Sequence, residues 1–112
     1  MKDESVLIVT GSSRGIGAAT VRLAACRGYS VCVSYLNRHR EAGEVVTAIE
    51  REGGRAIAVQ ADVSSESDVM RLFETVDLEL GRVSALVNNA ATLEHQMRRL
   101  PFGGRVSCRY RP

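Results

Sequence analysis

Four short apolar runs alternate with three amphipathic stretches along this chain. Ser5–Val9 is apolar and rich in β-branched residues, as a strand covered on both faces of a parallel sheet requires. Gly15–Gly28 reads as a helix that turns Ile16, Ala19, Leu23 and Ala24 toward the sheet and stops at Gly28. Ser30–Tyr35 is the second strand. Arg40–Glu52 sets Ala42, Val45, Val46 and Ile49 at the i, i+3, i+4, i+7 spacing of an amphipathic helix, ended by Gly53-Gly54. Arg55–Gln60 is the third strand. Ser64 is the expected N-cap of a third helix, with Glu66 and Asp68 in its first turn to complement the helix dipole. Val69, Leu72, Phe73, Val76 and Leu80 form the apolar face of that helix, and Gly81 terminates it. Ser84–Asn88 is the fourth strand. After Leu93 the periodicity disappears into Pro101, Gly103-Gly104, Pro112 and scattered arginines.

The alternation predicts an α/β fold, β-α-β-α-β-α-β, with short connections. Right-handed crossovers then give a parallel sheet with helices on both faces. The chain divides at residue 93: residues 1–93 carry the sheet, and residues 94–112 form a basic, irregular tail.

Composition sharpens that division. The length of 112 residues allows one domain, and the hydrophobic content of 45% suits a globular core. The net charge of +2 is unevenly spread. Residues 1–93 hold 10 Lys/Arg against 12 Asp/Glu, a net of −2, and residues 94–112 hold 5 Arg against Glu94, a net of +4. Five arginines with one aromatic, Tyr110, make a thin case for nucleic acid, and none is expected as a partner. The apolar runs are strand-sized and no signal segment opens the chain, so neither membrane association nor export is expected. Cys26, Cys32 and Cys108 lack metal-like or redox-pair spacing and read as reduced thiols of a cytoplasmic protein. His39 and His95 are isolated, and no metal site is expected.

The first strand runs directly into three glycines. Gly11 permits the sharp turn out of the strand, Gly15 lets backbone approach a pyrophosphate, and Gly17 lets the helix pack close to the strand. The helix start then offers free N–H groups and a partial positive charge to phosphate. The loop residues Ser12, Ser13, Arg14 and Ile16 belong to the same candidate site. A turn with no ligand is the competing reading of the glycines.

The motif Thr10-Gly11-Ser12-Ser13-Arg14-Gly15-Ile16-Gly17 resembles that of the short-chain dehydrogenase/reductase family. Asp62-Val63 after the third strand, and Asn88-Asn89-Ala90-Ala91 after the fourth, follow in that family's order and spacing. The resemblance covers residues 5 to about 93. It implies the N-terminal half of a Rossmann-type fold, with strands in the order 3-2-1-4. It also implies that Asp62 and Val63 contact the adenine, that Asn89 and Ala90 lie along the nucleotide, and that Asn88 helps hold the central strands together. Ala91 replaces the family's usual glycine and adds a methyl where backbone nears the cofactor. For Asp62 the competing role is a cap leading into the third helix.

Cofactor choice is read at the end of the second strand, where an NAD site needs an acid to accept from the ribose 2′-OH. Here Ser34-Tyr35-Leu36-Asn37-Arg38 carries none before Glu41. Tyr35, Asn37 and Arg38 line that position, and Arg14 lies in the glycine turn. Two guanidinium groups suit a 2′-phosphate, so NADP(H) is favoured over NAD(H). A solvated loop charge is the competing role for Arg38.

Catalytic residues are not found. The family's chemistry uses a Ser, and a Tyr with a Lys four residues on. Lys2 is the one lysine, and Val33, His39 and the chain end stand four beyond Tyr29, Tyr35 and Tyr110. The parent activity implied by the resemblance is NADP-dependent oxidation of an alcohol or reduction of a carbonyl, with this chain retaining nucleotide binding at most. It is then either a truncated, non-functional fragment or a stand-alone nucleotide-binding or regulatory module. The tail reads as an aberrant or out-of-frame end, a basic extension, or an unstructured end. Self-association through an exposed fourth-strand edge is expected.

Overall fold

The computed structural model describes residues 5–89. Seven elements follow in order: β1 (Val6–Thr10), α1 (Gly15–Cys26), β2 (Ser30–Tyr35), α2 (His39–Arg51), β3 (Arg55–Gln60), α3 (Glu66–Glu79) and β4 (Ala85–Val87). The strands form one parallel sheet in the order β3-β2-β1-β4, the Rossmann-type arrangement expected. β2 and β3 begin and end where the apolar pattern put them. β1 runs one residue later, through Thr10, and β4 is three residues long.

Alternate side chains of each strand feed opposite faces of the sheet. On one face Leu7, Val9, Val31, Val33 and Tyr35 pack with Val21 and Ala25 of α1 and with Ala42, Val45 and Ile49 of α2. On the other, Val6, Ile8, Cys32 and Val59 pack with Leu72, Val76 and Leu80. The sheet is therefore wound on both sides, with α1 and α2 opposite α3. The Cys32 thiol, fully enclosed in the second cluster, is pushed up to about 12 by burial and is chemically quiet.

Three local expectations are corrected. The buried face of α1 is Gly17, Val21 and Ala25, with Ala18 and Ala24 partly covered, whereas Ile16 and Leu23 stay 38% and 45% exposed. At Gly17 the helix meets the loop after β1 with no room for a Cβ, and that contact turns the face of Gly17, Val21 and Ala25 inward. The N-cap of α3 is Ser65, not Ser64, because Ser64 donates both its amide and its hydroxyl to Asp62 Oδ1 at 2.9 and 2.7 Å. Cys26 is disulfide-bonded, so the reading of three reduced thiols fails there; cysteine spacing in sequence does not report proximity in space. The tail 94–112, with Ala90 and Ala91, lies outside the described residues.

Helix α3 supplies an internal control on the core. Leu72 is 1% exposed and Leu78 is 86% exposed. Leu72→Ala should lower unfolding free energy by about 2–5 kcal/mol. Leu78→Ala should stay within about 0.5 kcal/mol. Urea unfolding of the two variants checks the difference.

Candidate nucleotide site

Parallel pairing brings the C-terminal ends of all four strands to one edge. Thr10 stands beside Ser34, Tyr35 beside Gln60, and Val9 beside Val87. From β1 the chain leaves toward β2 and β3 on one side, and β4 lies on the other. The crevice between β1 and β4 is thus a topological switch point, where open α/β sheets bind ligands.

The glycine loop is tied to both neighbours of β1. Ser12 is fully buried; its Oγ donates to Val9 O at 2.6 Å and accepts from Ser34 N at 3.1 Å. Its own amide donates to Ser34 O at 3.1 Å. Toward β4, Thr10 Oγ1 donates to Asn88 Oδ1 at 3.0 Å and accepts from Asn89 N at 2.9 Å. Asn89 Nδ2 donates to Gly11 O at 3.1 Å. Thr10 was not singled out from the sequence, and its place opening the glycine motif was the available signal. The Thr10–Asn88 bond supplies the strand-holding role expected of Asn88.

The three glycines differ in what holds them. Gly11 and Gly15 both sit at φ 64°, a left-handed conformation that favours glycine. A Cβ on Gly15 would meet nothing within 4 Å, so that position is open toward the crevice. A Cβ on Gly17 would clash with Gly11 O, and would lie 2.7 Å from Ser12 Cα and 2.8 Å from Asn89 Nδ2. Beyond Ser13, which is buried, the chain emerges: Arg14 and Ile16 are exposed.

The helix start they lead into is bare. Arg14 occupies the N-cap in an extended conformation, makes no side-chain cap bond, and no acid lies in the first turn of α1. The start of α3 is the opposite: Ser65 Oγ accepts from Asp68 N at 3.3 Å, and Glu66 and Asp68 stand in the first turn. The N–H groups of α1 therefore keep their capacity for an external anion, while those of α3 are already served.

The remaining predicted residues surround the same edge. Tyr35 is buried against α1 and α2, and its hydroxyl is 2.8 Å from His39 Nδ1. Asn37 is exposed and accepts the His39 amide through its carbonyl at 2.9 Å. Arg38 caps α2 and approaches Glu41 at 3.5 Å, both side chains being about half exposed. Asp62 and Val63 follow β3, linked to the end of β2 through Ala61 N donating to Tyr35 O at 2.9 Å. The two Ser64 bonds hold the Asp62 carboxyl below the usual carboxylate range. The turn it closes is thus held through that range and released only as pH falls below it, through the carboxyl's own lowered value. Both Ser64 bonds use Oδ1, and Asp62 N is served separately by Asp68 Oδ2 at 2.9 Å. Asp62 is accordingly a turn former ahead of α3, whereas the cap that its competing reading assigned to it is made by Ser65. Asp68 was read only as a first-turn acid of α3, and nothing in the chain's pattern marks it as that partner.

Ser12 and Ser34 make opposite predictions. Both are buried, yet Ser34 Oγ has no hydrogen-bond partner, whereas Ser12 Oγ has two. Ser12→Ala should cost about 1–3 kcal/mol by stranding Ser34 N–H. Ser34→Ala should be neutral or stabilising. Paired denaturation curves decide between them.

Comparison with known proteins agrees with this geometry. The family model described as short chain dehydrogenase matches residues 5–101. An uncharacterized oxidoreductase of Escherichia coli, YgfF, is 44% identical over 89 residues, covering 80% of this chain and 36% of that protein. The short-chain dehydrogenase/reductase homolog YusS of Bacillus subtilis is 42% identical over 90 residues, covering 80% of this chain and 83% of its own. Among solved structures, a blue fluorescent protein from a metagenomic library in complex with NADPH aligns with a TM-score of 0.74 and 40% identity, over 78% of this chain and 36% of that one. The chain thus spans about a third of the length of some relatives and most of another. Its strand order, glycine loop and Asn88-Asn89 clamp, together with these matches, make it a member of the short chain dehydrogenase family.

Proposed function

We propose that this chain binds a nicotinamide dinucleotide at the β1–α1 loop and prefers NADP(H) to NAD(H). The observation that carries the reading is the uncapped, acid-free start of α1, opening at the switch point behind a glycine loop. The pyrophosphate lies against the backbone of Gly11, Ser12, Ser13, Arg14, Gly15, Ile16 and Gly17. The adenine lies beside Asp62 and Val63, where Asp62 Oδ2 accepts from its exocyclic amine. Asn89, Ala90 and Ala91 follow the nucleotide toward its nicotinamide end. At the adenosine ribose the chain offers Tyr35, Asn37 and Arg38 with no acid, and Arg14 projects from the loop. The NADPH-bound relative supports the same preference.

The reaction of longer relatives is oxidoreduction between an alcohol and a carbonyl. With Lys2 its one lysine, this sequence lacks the Tyr-x-x-x-Lys pair for that proton transfer. Loss of an acid/base costs about 10²–10⁴-fold in rate. The reading is therefore nucleotide binding without turnover, in the cytoplasm, by a unit formed of residues 1–93 with residues 94–112 appended. Among the described residues no helix is long and apolar enough to cross a membrane.

Among the described residues no strand pairs with the outer edge of β4, which adds self-association to the reading. All three of its residues are exposed, Leu86 at 49% and Val87 at 39%. Unpaired apolar edges template pairing with another chain.

Two outcomes check the proposal. Calorimetry should find NADP⁺ bound more tightly than NAD⁺, with Arg38→Asp erasing or reversing the preference; equal affinities in the original chain would rule it out. The same protein should consume no NADPH above buffer with a panel of ketones and aldehydes. Saturable turnover would contradict that part.

A further inference from the structure

His39 is not part of the site drawn above, yet it stands where a 2′-phosphate is read. It is the first residue of α2, directly after Arg38, and its ring is held. Nδ1 lies 2.8 Å from the Tyr35 hydroxyl, with the two rings edge-on at a centroid distance of 5.8 Å and an interplanar angle of 61°. Tyr35 is itself fixed, 8% exposed among the side chains of α1 and α2. With Nδ1 committed to a buried phenol, Nε2 on the opposite edge of an exposed ring is left outward. A phenol at this strand end, where an NAD site carries an acid, therefore positions an imidazole.

The charges nearby make that imidazole decisive. Arg38 is offset by Glu41 at 3.5 Å, and Arg40 is the next residue of α2. Tyr35 reaches the ring from β2. Among the described residues no other ionisable group is hydrogen-bonded or ion-paired to it. With the ring neutral, the Arg38–Glu41 pair cancels and Arg40 is the cation beside it on α2. With the ring protonated, a full positive charge and an Nε2–H donor stand at the N-terminus of α2 together.

We infer that His39, positioned by Tyr35, is a further 2′-phosphate-binding residue whose protonation strengthens discrimination of NADP(H) from NAD(H). The Tyr35 hydroxyl suits both states. It donates to Nδ1 of the neutral ring and accepts from Nδ1–H of the charged one. The inference rests on the NADP(H) reading above and adds a residue and a pH dependence to it.

The test uses the full chain with 2′,5′-ADP and 5′-AMP, which differ in the 2′-phosphate, at pH about 6 and about 8. The 2′-phosphate loses charge itself near pH 6, so the original chain is compared with His39→Gln, which meets the same ligand ionisation. Gln keeps a neutral donor and cannot be charged. The two proteins should bind 2′,5′-ADP alike at pH 8, and the original should bind about tenfold more tightly at pH 6, as expected for one charge-assisted bond. Affinity for 5′-AMP should not change between them. Tyr35→Phe should reduce the gain at pH 6, and His39→Arg should hold the higher affinity at both pH values. If 2′,5′-ADP outbinds 5′-AMP while the ratio between the original and His39→Gln is the same at both pH values, the inference is overturned and the cofactor reading stands. If the original binds both nucleotides equally, the cofactor reading falls and this inference with it.

Discussion

The close seating of α1 on the ends of β1 and β4 is the contact on which the rest depends. At Gly17 there is no room for a Cβ against Gly11 O, Ser12 Cα and Asn89 Nδ2. That approach sets the rotation of α1, which buries Val21 and Ala25 and turns Ile16 and Leu23 outward. It also fixes where the free N–H groups of the helix emerge. Ser12 and Thr10 then lock the loop sideways, one to β2 and one to the segment after β4. A flexible glycine-rich segment thereby becomes a preorganised one. Its ordering entropy is met on folding and not on binding.

The helix termini show the same division between folding and function. Helix α3 is finished internally: its cap, its acidic first turn and the Asp62–Ser64 turn leave little for a ligand to do. Helix α1 forgoes all of these. An uncapped N-terminus typically forfeits about 1 kcal/mol relative to a Ser or Asp cap, so an exposed Arg at the N-cap is explicable where an anion is to replace it. The lowered titration of Asp62 belongs to the finished end. Its charge is spent on a local turn, and only its second oxygen faces outward.

Much of this was legible in sequence, for identifiable reasons. The six-residue strands β2 and β3 each follow a glycine stop, Gly28 and Gly53-Gly54, and their limits follow from those stops and the apolar pattern. Of the three glycines, Gly17 carries a steric demand that only one residue type meets, so its packing role could be assigned before any coordinates. The phase of α1 was not legible. Its face is chosen by the smallest residue, and a scale that ranks side chains by hydrophobic size points to Ile16 and Leu23. Ser64 and Ser65 are chemically equivalent as caps, and the choice depends on Asp62 having claimed one of them first. Tyr35–His39 spans a strand end and a helix start across a loop, so neither periodicity predicts the pair. Thr10 and Asn88 lie 78 positions apart and meet only because β1 and β4 are neighbours.

The strand that completes the site is the least protected one. β4 contributes three residues, all exposed, and is held by its pairing with β1, by Ser84 bonded to both the amide and the carbonyl of Val6, and by Thr10. Low-stability segments of this kind open first. Asn88 and Asn89 continue directly from that strand, and Asn89 closes against the Gly11 carbonyl at the tightest point of the loop. Opening of β4 therefore removes one wall of the crevice, while Ser12 keeps the other tied to β2. A chain that paired with the outer edge of β4, which no described residue covers, would stabilise the Asn88-Asn89 wall by mass action, and a dinucleotide bound against that wall as proposed would stabilise the edge in return. On the proposed reading, edge pairing and nucleotide binding would be two loads on one short strand, each favouring the other.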